Sequence, residues 1–130
     1  GHLVLRGGKH GPNYEAAHVE KAALELAKHG LNARMMVDCS HDNSSKDDTR
    51  QPAVLQDIAE QLAAGAQHLM GVMIESHLVA GKQSFPKDIK ALVYGQSITD
   101  ACVDFETTTS MLRTLAEAVA TGRLQASYVC

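Results

Sequence analysis

Residues 35–41 read Met-Met-Val-Asp-Cys-Ser-His, a short apolar run that ends on a carboxylate and an imidazole. Two similar runs flank it: residues 2–6, which end on Arg6, and residues 71–77, which contain Glu75. Arg6, His41 and Glu75 are separated by 35 and 34 positions, about the length of one strand–loop–helix–loop unit. Because parallel α/β architectures gather reactive side chains at the carboxyl ends of their strands, this spacing predicts one rim that carries all three side chains.

Helical periodicity fills the intervals between these runs. The first helix is expected after Asn13, which is suited to its cap, and the second after Ser45, which has capping-box spacing to Asp48. The third helix is expected over residues 106–121, with its core face formed by Met111, Leu112, Leu115, Ala118 and Val119. The continuous apolar strands and this order predict an α/β fold, β-α-β-α-β-α, with a parallel sheet.

Composition excludes several functional classes. The 130 residues are 45% hydrophobic and 21% charged, as in an ordinary soluble domain, and the net charge of −3 argues against nonspecific nucleic-acid binding. No apolar stretch approaches the roughly 20 residues of a membrane helix, so no membrane partner is expected. Three cysteines, Cys39, Cys102 and Cys130, form no paired framework, which favours a reducing, cytoplasmic location.

His41, Glu75 and Asp100 form a candidate site for a divalent metal, for which manganese, iron, cobalt and zinc are the suitable ions. Asp100 lies in the long segment 76–103, which we expect to fold back over the strand ends. Taken singly, His41 has the simpler interpretation of a loop residue that hydrogen-bonds, and Asp100 that of a turn residue. Asp38 is expected either to orient a ligand or to bind the metal itself.

Three further predictions concern residues near these. Arg6 is followed by Gly7, Gly8 and Lys9, a set that can bind a phosphate or carboxylate, although a tight turn with two solvated basic residues is the alternative. Cys39 is interpreted as a small buried residue. His77 shares a strand face with Glu75 if the strand extends that far.

Four stretches carry a resemblance to a known family. They are residues 5–14, which include Leu-Arg-Gly-Gly-Lys and Pro-Asn-Tyr, residues 38–46, Asp-Cys-Ser-His-Asp-Asn-Ser-Ser-Lys, residues 71–78, Gly-Val-Met-Ile-Glu-Ser-His-Leu, and residues 94–102, Tyr-Gly-Gln-Ser-Ile-Thr-Asp-Ala-Cys. In this order they resemble the carboxyl-terminal part of DAHP synthase, the enzyme that opens the shikimate pathway of aromatic amino acid biosynthesis. The resemblance implies that residues 1–130 are the last three βα units of a (β/α)₈ TIM barrel and part of its catalytic domain.

The resemblance also implies an activity and its ligands. The family condenses phosphoenolpyruvate with erythrose 4-phosphate and releases phosphate, using a divalent metal. His41, Glu75 and Asp100 fall on three of its metal ligands, and Arg6 falls on an arginine that holds phosphoenolpyruvate. His41 or Glu75 is expected to relay a proton or orient the attacking water.

Other parts of the family site are expected upstream of this chain. They are the fourth ligand, which is a cysteine, the other basic residues that hold phosphoenolpyruvate, and a Lys-Pro-Arg-Thr segment. We therefore expect a truncated, inactive piece of an enzyme that forms a homo-oligomer at full length. Two alternatives remain: a noncatalytic phosphate-binding module with a flavodoxin-like sheet, and the sister synthase that uses arabinose 5-phosphate, although residues 96–100 favour the erythrose enzyme.

Overall fold

The computed structural model describes residues 1–127 and confirms the β-α-β-α-β-α order. The strands are β1 (Leu3–Leu5), β2 (Met35–Asp38) and β3 (Leu69–Met73), and the helices are α1 (Ala16–Lys28), α2 (Gln51–Ala63) and α3 (Phe105–Ser127). Within the described residues, no helix is both long enough and apolar enough to span a bilayer. Cys130, one of the three predicted unpaired cysteines, lies outside the described residues.

The three main strands form one parallel sheet in the order β1-β2-β3. Leu5 lies opposite Val37, and Asp38 lies opposite Met73, so the carboxyl ends of all three strands reach the same edge. Sequential order is that of a barrel, whereas a flavodoxin-like sheet places its first strand between the second and the third. The flavodoxin-like alternative is therefore wrong.

The core lies between this sheet and the helices. Met35, Val37 and Ile58 have no exposed surface, and Met111 of α3 packs against the same cluster. Leu112, which was predicted to face the core, is 52% exposed, so that prediction is wrong. Successive residues on a helix point about 100° apart, and the buried position is taken by Met111.

The first two helices begin later than the sequence predicts, whereas the third, expected over residues 106–121, spans Phe105–Ser127. α1 starts at Ala16, and Asn13 accepts a hydrogen bond from the amide of Gly7 at 2.7 Å in place of capping the helix. Two 3₁₀ turns, His41–Asn43 and Asp48–Arg50, precede α2, whose first turn contains Pro52. Both predicted caps are wrong, because the side chain of Asn13 bonds to Gly7 within the same loop, and Asp48 begins the second 3₁₀ turn, which Asp47 caps.

The long segment between β3 and α3 has structure of its own. It contains β4 (Val79–Lys82) and β5 (Gln96–Ser97), which pair in parallel as a second, two-stranded sheet. The side chain of Gln83 donates to the carbonyls of Val93 and Gln96 and accepts from the amide of Val93. Isolated β-bridges join residue 76 to residue 103 and residue 81 to residue 102, so the start and the end of the segment lie side by side. These bonds give the residues around Asp100 a defined position.

Gly7 lies where the loop after β1 passes closest to the 3₁₀ turn His41–Asn43. Its φ is +78°, and an added Cβ would lie 2.7 Å from the Cβ of Asp42 and 2.8 Å from the backbone nitrogen of Asn43. Both the left-handed conformation and the close approach exclude a larger residue. Gly8 has neither constraint, since nothing lies within 4 Å of its added Cβ.

We expect Gly7→Ala to lower the free energy of unfolding by about 2–5 kcal/mol, from left-handed strain and overpacking together. Gly8→Ala, the matched control, should cost less than about 1 kcal/mol. Urea unfolding of both variants beside the unsubstituted protein measures the difference. Equal midpoints for the two variants would contradict the close contact at Gly7.

Candidate active site

The carboxyl ends of the strands bring three of the predicted side chains together. His41 follows β2 by three residues and Glu75 follows β3 by two, while Asp100 arrives from the segment after β5. One ligand atom from each lies within 4.8 Å of the others. His41 and Glu75 are partly buried and Asp100 is exposed, so the cluster opens to solvent on one side.

The imidazole of His41 is held in one orientation. Its Nδ1 lies 2.7 Å from Oδ2 of Asp38 and 2.8 Å from Oγ of Ser40. A carboxylate can only accept, so Nδ1 carries a proton, and in the neutral imidazole Nε2 keeps a lone pair for a ligand. Nε2 lies 3.6 Å from Oε1 of Glu75 and therefore points into the cluster.

Asp38 is buried, and its oxygens are already used. Oδ1 accepts from the amide of Ser40 at 2.8 Å and from its hydroxyl at 2.6 Å, and Oδ2 accepts from His41. These bonds support the prediction that Asp38 orients a ligand, and they leave its oxygens poorly placed for the alternative of direct metal binding.

Glu75 sits at the centre of the acidic groups. Burial raises the pKa of its carboxyl; His41 and Arg6 lower it, while the negative charges of Asp100 and Asp38 raise it further. The net direction is upward, which means that the ionised carboxylate lacks enough positive charge around it. A cation among these groups would supply that charge.

The donor set fits a divalent cation. One imidazole nitrogen with a free lone pair and two carboxylates are ligands for zinc, manganese, iron or cobalt. Donor atoms about 2.0–2.2 Å from such an ion lie roughly 3–4.3 Å from one another. The candidate ligand atoms of His41, Glu75 and Asp100 lie within 4.8 Å of one another, so they need to move only slightly closer to bind one ion.

The cluster lines a cavity of about 280 Å³ that sequence reasoning described only in part. Its charged lining residues are Arg6, Lys46, Asp48, Glu75, Lys82 and Asp100, together with His41. Lys46 and Lys82 were not predicted as site residues. The place of Lys46 at the end of the 38–46 motif was a signal in the sequence, whereas Lys82 stands in a segment without periodicity. Two larger clefts, of about 590 and 610 Å³, lie around Gly65 and Ala66, away from these ligands.

Of the predicted anion-binding residues after β1, only Arg6 lines the cavity, and Gly7, Gly8 and Lys9 do not. The amide of Gly7 donates to Asn13 and that of Gly8 to the carbonyl of Gly11, so neither amide is free for a ligand. Lys9 is exposed and does not line the cavity. The contacts give Gly7 a structural role, and substrate binding by Gly7, Gly8 or Lys9 stays a prediction that these contacts do not support.

Two other predicted residues lie beside the cluster. β3 ends at Met73, so His77 lies beyond the strand, where it is exposed and its Nδ1 accepts from the amide of Leu78. Cys39 has no exposed surface, which confirms the interpretation of a small buried residue. Burial raises the pKa of the Cys39 thiol to about 12, and the charge of Asp38 adds to the rise.

The raised pKa of Cys39 has a consequence for stability at alkaline pH. The thiol ionises near its ordinary value of 9.0 in the unfolded chain and near 12 in the folded one. Stability from this group is therefore complete below pH 9 and is lost as the pH rises towards 12. We expect the free energy of unfolding in urea to fall more between pH 8 and pH 10.5 in the parent than in Cys39→Ala. Parallel pH profiles for the two proteins would contradict the buried thiol.

Comparison with known proteins identifies the family of the chain. A sequence profile of the DAHP synthetase I family matches residues 1–113. The chain belongs to the DAHP synthetase I family. The three βα units and their parallel strands form part of the barrel found in that family.

Individual members of the family show how much of a protein the chain covers. The Phe-sensitive phospho-2-dehydro-3-deoxyheptonate aldolase of Escherichia coli K12 is 50% identical over 118 residues, which are 91% of this chain and 33% of that protein. The tyrosine-inhibited aldolase of Schizosaccharomyces pombe is 52% identical over 122 residues, 90% of this chain and 32% of that protein. The aldolase structure from Francisella tularensis SCHU S4 superposes with a TM-score of 0.87 at 52% identity and covers 94% of this chain and 35% of that chain. The chain thus spans about a third of the length of these relatives.

Proposed function

We propose that residues 1–130 supply the carboxyl-terminal three βα units of a DAHP synthase barrel. The full barrel would condense phosphoenolpyruvate with erythrose 4-phosphate to give DAHP and phosphate, as the first step of aromatic amino acid biosynthesis. The observation that carries the proposal is the convergence of His41, Glu75 and Asp100 in a chain of the DAHP synthetase I family.

In this proposal His41, Glu75 and Asp100 hold a divalent cation: manganese, iron, cobalt or zinc. When bound, the cation supplies Lewis-acid polarisation of the sugar aldehyde oxygen. Asp38 keeps the proton on Nδ1 of His41, so that Nε2 stays available as a ligand atom.

The positive side chains act on the anionic substrates. Both substrates carry phosphate, and phosphoenolpyruvate also carries a carboxylate, so bringing them together requires neutralisation. Arg6, Lys46 and Lys82 line the cavity, and none of the three makes an ion pair within 4 Å among residues 1–127. Arg6 grips phosphoenolpyruvate through paired donors, and the two lysines stabilise phosphate charge.

The reaction joins the enol carbon of phosphoenolpyruvate to the aldehyde carbon, after which water adds to the second carbon and phosphate leaves. His41 and Glu75 lie where they can orient this water, since both border the cavity, and of the two only Glu75 has an oxygen that can accept its proton, because both ring nitrogens of His41 are used.

Activity is tested in a chimera in which this chain replaces the matching third of the E. coli relative. We expect phosphate release from phosphoenolpyruvate with erythrose 4-phosphate, loss of activity with chelator, and recovery with manganese. The 130-residue chain alone should show no turnover. A folded chimera without turnover, or turnover that survives exhaustive chelation, would refute the proposal.

Arabinose 5-phosphate in place of erythrose 4-phosphate separates the proposal from the sister synthase. Turnover with the pentose phosphate and none with the tetrose phosphate would assign the chain to that enzyme. Size-exclusion chromatography of the same chimera tests the prediction of a homo-oligomer, and an exclusively monomeric active chimera would contradict it.

Substitution of Lys82 tests the proposal that the positive side chains of the cavity bind the anionic substrates. Lys82→Gln in the chimera should raise KM for at least one substrate by about tenfold, because a charge-assisted hydrogen bond contributes roughly 1.5–3 kcal/mol. Lys90→Gln is the matched control, since Lys90 lies on the same segment but does not line the cavity. Steady-state kinetics in which the two variants have the same KM values would contradict a substrate role for Lys82.

A further inference from the structure

Gln51 is a polar residue at a position where the helix pattern calls for an apolar one. It heads the buried stripe of α2, four positions before Leu55 and seven before Ile58. All three side chains are buried, and Gln51 is 0% exposed. A long amide in a core stripe costs stability unless both of its polar atoms are bonded.

Both polar atoms of Gln51 bond to a single residue. Nε2 donates to the carbonyl of Glu75 at 3.1 Å, and Oε1 accepts from the amide of Glu75 at 2.9 Å. The reversed amide would place a donor against a donor, so this pair of contacts also fixes the orientation of the side chain. The side chain thus imitates the pairing of a neighbouring strand.

The two hydrogen bonds between the side chain of Gln51 and the backbone of Glu75 are called the clamp below. They act where the backbone of Glu75 has left the pairing of the sheet. The pairing of β2 with β3 ends at Asp38 and Met73, two residues before Glu75. The carbonyl of Glu75 also accepts from the amide of Val103, at 3.0 Å. The amide of Glu75 donates to Oε1 of Gln51. Without Gln51 the backbone that carries this carboxylate is held from one side only.

The clamp also connects Glu75 with His41. His41 lies in the connection between β2 and α2, and Gln51 is the first residue of α2 after it. Three residues of this connection, His41, Ser45 and Lys46, have φ of +50° to +61°. A backbone in this rarely occupied region persists only when its surroundings hold it in place. Leu55 and Ile58 anchor α2 in the core, so the position of Gln51 is fixed relative to the sheet.

We propose that Gln51 is a positioning residue that sets the separation of His41 Nε2 and Glu75 Oε1 and thereby controls the affinity and geometry of the cation site. The inference rests on the proposed function, because it requires that these side chains bind a cation. Residues that orient metal ligands without touching the metal typically change its affinity by about 10–100-fold when substituted.

The test compares Gln51→Met with two controls in the chimera, which contains every residue of this chain. Gln51→Met keeps the length of the side chain and removes both hydrogen bonds. Gln56→Met makes the same chemical change on the exposed face of α2, where Gln56 bonds only to Glu60. Ile58→Val lowers stability on the same buried stripe and leaves the clamp intact.

We expect Gln51→Met to weaken manganese binding by about 10–100-fold and to change the visible absorption spectrum of the cobalt-loaded protein. Gln56→Met should match the unsubstituted protein in both measurements. Ile58→Val should lower the melting temperature without changing the cobalt spectrum, which separates a loss of positioning from a loss of stability. If Gln51→Met does not fold, Gln51→Asn replaces it, because the shorter amide cannot reach both atoms of Glu75.

Unchanged manganese affinity and an unchanged cobalt spectrum in a folded Gln51 variant would overturn the inference and leave the proposed function standing. A folded, unsubstituted chimera that binds no manganese or cobalt would overturn the cation site itself, and the positioning role with it. The two failures are distinguishable, because the first appears only in the variant and the second already in the parent.

Discussion

One buried side-chain amide, that of Asn43, holds the carboxyl ends of β1 and β2 in place. Its Nδ2 donates to the carbonyls of Leu5 at 3.1 Å and Asp38 at 2.8 Å, and its Oδ1 accepts from the amide of Asn13 at 2.8 Å. Those carbonyls lie where the sheet pairing ends, and a buried carbonyl left unpaired costs about 1–3 kcal/mol. Arg6 follows Leu5 directly, and Asp38 holds His41, so this one side chain determines where both functional groups lie.

The same edge of the sheet concentrates negative charge. The pKa of Glu75 is raised by burial and by the negative charges of Asp100 and Asp38, which lie beside it. Asp38 is compensated by three hydrogen bonds, whereas at Glu75 the favourable effects of His41 and Arg6 are outweighed by burial and by the charges of Asp100 and Asp38. Such an arrangement costs stability in the absence of a cation, and sites of this kind are common where a protein has a function to perform.

The sequence was most informative where local pattern and topology agree. Apolar runs at near-constant spacing predicted the strands, and the rule that strand ends share one edge predicted the meeting of His41 and Glu75. Prediction failed in the loops: Asn13 looks like a helix cap but accepts from Gly7 in the same loop, and Gly7 looks like an anion loop but packs on the 41–43 turn. No periodicity marks these contacts, because they depend on how one loop folds on itself and passes the next.

Gln51 is a different case: the sequence shows a polar residue on an apolar helix face, but nothing in the neighbouring residues indicates its partner. Its place on the apolar stripe of α2 is a departure from the pattern, and such departures concentrate at functional sites. The partner, Glu75, is 24 residues away and belongs to the next βα unit, so only the folded arrangement identifies it.

The geometry of the site also explains why the proposed activity belongs to a closed barrel. β1 and β3 are the edges of a three-stranded sheet, and the strand residues Leu3, Met70 and Met73 are 38–48% exposed. In a closed barrel such edges pair with further strands, and the interior face is filled by side chains. His41, Glu75 and Asp100 lie at the carboxyl end of this sheet, and the cluster opens to solvent on the side of Asp100. The described residues position His41 through Asp38 and Asn43 and Glu75 through Gln51, whereas the pairing of β1 and β3 with further strands would complete the cavity wall.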